Sequence, residues 1–113
     1  MPKEKTAIES AAALPIAESD VVFQTAAELF GLLSTPVRLK ILSALCDSEK
    51  NVSQMLLEIP VSQPNLSQHL SALYKAKVLG KRREGAQIFY YVINANAVAI
   101  CRSVCTQVAF DSL

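Results

Sequence analysis

Between Ser62 and Ser71 the chain carries Gln63, Asn65, Ser67 and Gln68, interleaved with Leu66 and Leu70. Amides and hydroxyls both donate and accept hydrogen bonds, and these side chains carry no charge. At helical spacing Gln63, Asn65, Ser67, Gln68, Ser71 and Lys75 fall on one side, and Leu66, Leu70, Leu73 and Ala76 on the other. A solvated helix face is ordinarily built from Glu and Lys pairs. An amide-rich face instead matches the donor and acceptor pattern of base edges in a nucleic-acid groove. Ser62 caps this helix, and its N-terminus favours a phosphate. A little further on, Lys81, Arg82 and Arg83 can neutralise backbone phosphates, and Gln87 can add a groove contact. His69 lies between the polar and apolar sides, where binding a phosphate and packing at the helix edge are both open.

The other reactive side chains are Cys46, Cys101 and Cys105. An odd number of cysteines excludes a complete disulfide framework, so reduced thiols are expected. Cys101 and Cys105 stand four apart on one helix face. At that spacing Cβ atoms are about 5–6 Å apart, whereas a disulfide wants about 3.8 Å, so a direct bond between them is not expected. One His and no Trp leave little material for a metal cage or a catalytic triad. No Gly-rich phosphate loop and no suitably spaced acid pair occurs, which argues against an enzyme.

Length and charge set the frame. The 113 residues suffice for one domain, and with 51% apolar residues the small interior leaves surplus apolar surface, which points to self-association. No stretch approaches the roughly 20 apolar residues of a membrane span, and no signal-peptide pattern opens the chain, so a cytoplasmic protein is expected. Net charge is +1, but residues 1–33 sum to −3 and residues 77–93 to +3. Positive charge is thus concentrated beside the amide-rich helix.

These groups need elements to position them. Residues 1–16, Ala-rich with Pro2 and Pro15, read as a mobile arm, and residues 17–113 as the folded domain. Ser19 or Asp20 caps a helix to about Leu33, whose two apolar stripes predict burial on more than one side. A second helix runs from Pro36 to about Cys46, capped by the Ser or Thr before it. Asp47–Asn51 is a polar loop. A short helix from Val52 to Glu58 turns Met55 and Leu56 inward, and Ile59–Pro60–Val61 breaks it. The amide-rich helix runs from Ser62 to about Ala76. Val78–Arg83 and Ile88–Ile93 form strands joined at Glu84–Gln87 with a Gly at the turn. A last helix, about Ala95–Phe110, is apolar almost all round, so a partner chain is expected to cover it. The third and fourth helices form a helix-turn-helix.

In this order and spacing, Ser34-Thr-Pro-Val-Arg-Leu-Lys-Ile-Leu42, Ser62-Gln-Pro-Asn-Leu-Ser-Gln-His-Leu70 and Arg82-Arg-Glu-Gly-Ala-Gln-Ile-Phe-Tyr90 resemble the ArsR/SmtB family of winged-helix repressors. The resemblance extends from about Phe23 to Phe110. It implies a mainly α fold with a small β-hairpin wing, in the order ααααββα. It also implies homodimers paired through the first and last helices, double-stranded operator DNA as partner, and release by an inducer. The turn position usually held by Gly is Pro60, so the turn geometry must differ.

The family's arsenic and cadmium site uses Cys residues flanking a Val in the third helix. Here Val52 is flanked by Asn51 and Ser53. Its zinc site uses Asp and His in the last helix, which here has no His, with Asp111 expected past the end. The Ala86-Gln87 wing resembles the branch of biofilm-growth repressors and haemolysin activators. Several members sense persulfides through one Cys in each of the second and last helices. Those positions hold Ser43 and Ala109 here, with Cys46 one turn later and Cys105 one turn earlier. Three readings of the cysteines stay open. They are inert packing, a reactive-sulfur link from Cys46 to Cys105 or Cys101, and a metalloid or soft metal bound by two or three thiolates. A winged helix used for protein interaction is the alternative of another class; the basic wing disfavours it.

Overall fold

A computed structural model of the chain describes residues 20–113; the arm expected over residues 1–16 and a cap from Ser19 lie outside the described residues. The chain divides into two units after Gly31. Helix α1, Asp20–Leu32, carries Asp20 in its first turn, where a carboxylate suits the helix dipole. The expected burial on two sides does not occur: none of its residues is buried, and Phe23 and Phe30 are 61% and 58% exposed.

Helix α2, Pro36–Leu45, starts where the sequence predicts. Thr35 Oγ1 accepts from the Arg38 amide at 3.2 Å, and Pro36 occupies a first-turn position where no donor is lost. Cys46 is its C-cap. The loop that follows ends in a two-residue strand, β1 (Lys50–Asn51), where the sequence predicts only a polar loop. It forms because the free edge of a later strand supplies its partners. Asn51 also begins helix α3, Val52–Glu58, through a capping box: its Oδ1 accepts from the Gln54 amide at 2.8 Å, and the Gln54 side chain accepts from the Asn51 amide at 2.9 Å.

The break after α3 is a three-residue turn around Pro60, closed by the Val61 amide donating to the Ile59 carbonyl at 2.9 Å. An inverse γ-turn needs a central φ near −75°, close to the proline value. No residue of the turn has positive φ, which is how Pro60 is accommodated in place of Gly. Ser62 then caps helix α4, Gln63–Lys75, by accepting from the Asn65 amide at 3.3 Å. Leu66, Leu70 and Leu73 are fully buried. Ala76 is exposed instead of extending that apolar side, because it is the C-cap and the chain leaves the helix there. The Lys77 amide donates to Tyr74 and the Val78 amide to Leu73, with Lys77 at φ 63°; this is a Schellman stop with a lysine where glycine is usual.

Strands β2 (Leu79–Glu84) and β3 (Gln87–Val92) pair antiparallel, and β1 adds to the other side of β3. The connection is tighter than the four residues expected. Glu84 pairs with Gln87, leaving only Gly85–Ala86 in the turn. Gly85 has φ 63° and Ala86 does not, the arrangement of a two-residue II′ hairpin. Helix α5, Ala95–Asp111, is capped by Asn94 and includes Asp111, which accepts from the Gln107 side chain one turn earlier. It buries only Ala97 and Cys101; Val104, Val108 and Phe110 are exposed. The core gathers Ile41, Leu42, Met55, Ile59, Leu66, Leu70, Leu73 and Leu79, each contributing about 1.5–3 kcal/mol of burial. Leu56 is only partly buried, so α3 turns Met55 inward more completely than its neighbour.

Candidate nucleic-acid interface and thiol pocket

The leucine side of α4 is locked into the core, so its opposite side must face out. Ser62, Gln63, Asn65, Ser67, Gln68 and Ser71 are all exposed. Ser62 spends its hydroxyl on the cap; the amides of Gln63, Asn65 and Gln68 remain available. His69 stands at the helix edge, half-buried, and its Nδ1 accepts from Arg38 Nε at 3.0 Å. The His69 bond ties the start of α2 to α4, and Arg38 also donates to the Leu32 carbonyl at 3.0 Å. Apart from its place in the first motif, Arg38 carries no sequence signal of this role, since its partner His69 is 31 residues away.

The three consecutive cations do not form one patch. Successive residues of a strand point to opposite sheet faces. Lys81 pairs with Tyr90 and Arg83 with Ile88, whereas Arg82 pairs with Phe89. Lys81 Nζ lies 4.3 Å from the centre of the Tyr74 ring, which fixes the Lys81 and Arg83 face as the one beside α4. Arg83 has no ion pair among the described residues. Arg82 occupies the other face, 4.8 Å over the Phe89 ring, held by Glu49 and Glu84. These bonds hold the Glu49 carboxyl below its usual range and make Arg82 still harder to deprotonate. Gln87 accepts from Asn51 Nδ2 at 2.9 Å, fastening the wing to the start of α3.

All three thiols line one pocket of about 270 Å³ between α2 and α5, with Ser43, Arg102 and Thr106. The sulfurs of Cys101 and Cys105 are 3.8 Å apart, in contact but well beyond a bond. Cys101 also points at the Leu39 carbonyl, 3.7 Å away. Burial, then the Cys105 thiol beside it, push the Cys101 pKa from 9.0 up to about 11. Among the described residues, no three His, Cys, Asp or Glu side chains are grouped so as to hold a metal ion; the thiols do not make a ready three-thiolate site. The native fold favours protonated Cys101, so its contribution to stability is complete below pH 9 and falls as the pH rises through about 11. At about pH 8, iodoacetamide is expected to label exposed Cys105 well ahead of Cys101, read by peptide mass spectrometry. Equal rates would contradict this assignment.

An outward amide-rich helix, preceded by a short helix and a tight turn and followed by a cationic hairpin, defines a winged helix-turn-helix of the DNA-binding kind. The comparisons agree. Residues 35–79 match the family described as "Bacterial regulatory protein, arsR family". A helix-turn-helix transcriptional regulator of Mycobacterium tuberculosis is 32% identical over 83% of this chain and 86% of its own length. The crystal structure of the transcriptional repressor BigR from Xylella fastidiosa is 34% identical, covers 72% of this chain and 83% of that one, and has a TM-score of 0.68. HlyU from Vibrio cholerae is 27% identical over 76% of this chain and 94% of that one, with a TM-score of 0.71. The chain belongs to the arsR family of transcriptional regulators. Among the described residues no helix is long and apolar enough to cross a membrane.

Proposed function

We propose that the chain is a homodimeric repressor that reads operator DNA with α4, braces the duplex with the wing, and lets go when an inducer acts on its thiols. The observation that carries the first part is the exposed amide face of α4, flanked by Lys81 and Arg83 on the adjoining sheet face. Amides in the major groove discriminate between base pairs, and the cations supply the sequence-independent grip. Exposed Val104, Val108 and Phe110 on α5, and Phe23 and Phe30 on α1, support pairing of two copies. The shared pocket of Cys46, Cys101 and Cys105 supports thiol-based release, with reactive sulfur species as the inducer class.

A band-shift series tests this reading. Asn65→Ala and Gln68→Ala are expected to cost about 1–3 kcal/mol of discrimination each and to leave binding to mixed-sequence DNA nearly unchanged. If both variants keep the full preference for the operator, α4 is not the reading helix. A chain with all three cysteines replaced by Ser is expected to stay on DNA under polysulfide. Its release would remove the thiol reading.

A further inference from the structure

Arg82 is the middle of three consecutive cations, and it is the one turned away from Tyr74. On the outer face of the wing it stands between two carboxylates. Glu49 lies in the loop before β1, and β1 pairs with β3, so Glu49 reaches across the central strand to β2. Arg82 Nε lies 2.9 Å from one Glu49 oxygen and 3.1 Å from the other, and Nη2 also meets Glu49. Nη1 donates to Glu84 at 2.9 Å. One cation and two anions leave this group with a formal charge of −1. Its guanidinium fork is filled by carboxylates in the bidentate manner that would otherwise suit a phosphate. The pair is exposed, so replacing Glu49 frees Nε and Nη2 of Arg82 without disturbing the core.

We propose that Glu49, which lies outside the helix-turn-helix, is a brake on DNA binding: it occupies Arg82 and withholds one wing cation from the phosphate backbone. The proposal rests on the DNA-binding reading above. It makes operator strength depend on a residue that touches no DNA. Glu49 stands three residues after Cys46, the C-cap of α2 that lines the thiol pocket. Its carboxylate stays ionised to lower pH than an isolated glutamate, so the brake holds throughout the neutral range.

The test is a salt titration of binding to a mixed-sequence duplex between about 50 and 200 mM. Glu49→Gln is expected to tighten binding about five- to tenfold near 0.1 M salt and to steepen the slope of log affinity against log salt by about 0.9, one added phosphate contact. Glu49→Gln combined with Arg82→Gln is expected to return to the wild-type affinity and slope. The proposal is overturned if Glu49→Gln binds no tighter than wild type. It is also overturned if the double variant keeps the gain, since the effect would then be lost repulsion and not a freed Arg82. A wild-type chain that ignores duplex DNA sinks the DNA-binding reading and this proposal together.

Discussion

Glutamate at both Val104 and Val108 is expected to convert the protein to monomers and to lower its affinity for a two-half-site operator about 10²–10⁴-fold, the avidity lost when linked binding modules separate. The two valines stand one helical turn apart on α5 and are 57% and 58% exposed in the single chain. Replacing them removes no core contact, and exposed substitutions of this kind cost about 0.5 kcal/mol or less of stability. Across a shared apolar surface, however, four carboxylates would face one another without partners, each desolvated at a cost of several kcal/mol. Sedimentation would report the mass, a thermal melt the fold, and a band shift the affinity. A variant that remains dimeric and binds the operator at full strength would remove α5 from the interface.

Lys81→Gln combined with Arg83→Gln is the second large effect. Two phosphate contacts are expected to disappear, reducing the salt slope by about 1.8 and binding near 0.1 M salt about a hundredfold. Operator and mixed-sequence DNA should weaken together, because phosphate contacts position a protein without reading sequence. Lys81 also leaves the Tyr74 ring, a loss of about 0.5–1 kcal/mol in fold stability that a melt can subtract. If the pair of changes altered only the preference between sequences, the wing would be reading bases, contrary to the placement of its cations beside α4.

Local chemistry explains which parts of this arrangement are legible in the sequence. Thr35–Pro36, Asn51–Gln54 and Ser62–Pro64 begin helices by satisfying or dispensing with backbone donors within four residues, so the starts of α2, α3 and α4 fall where their residue types put them. The leucine spacing of α4 likewise fixes which side faces out. Strand β1 is not legible in the sequence because two polar residues carry no alternation; it exists only because β3 has an edge to offer. The two-faced wing is implicit in the period of two, but the pairing that sets Arg82 apart from its neighbours is not, because its partner Glu49 lies 33 residues away. The same holds for His69 and Arg38, separated by 31 residues. In α1 the apolar stripes are legible, whereas the exposure of Phe23 and Phe30 is not.

The proline turn between α3 and α4 has a bearing on how target sequences are chosen. Glycine at such a corner leaves a swivel, and a swivel lets a protein tilt to suit imperfect sites. With Pro60 fixing its own φ and the Ile59 carbonyl clamped to the Val61 amide, the angle of presentation is set before any encounter. Accommodation then falls to the duplex. On the proposed DNA-binding reading, operators that differ only in stiff or pliable base steps outside the contacted positions are expected to differ in affinity, which a band shift checks.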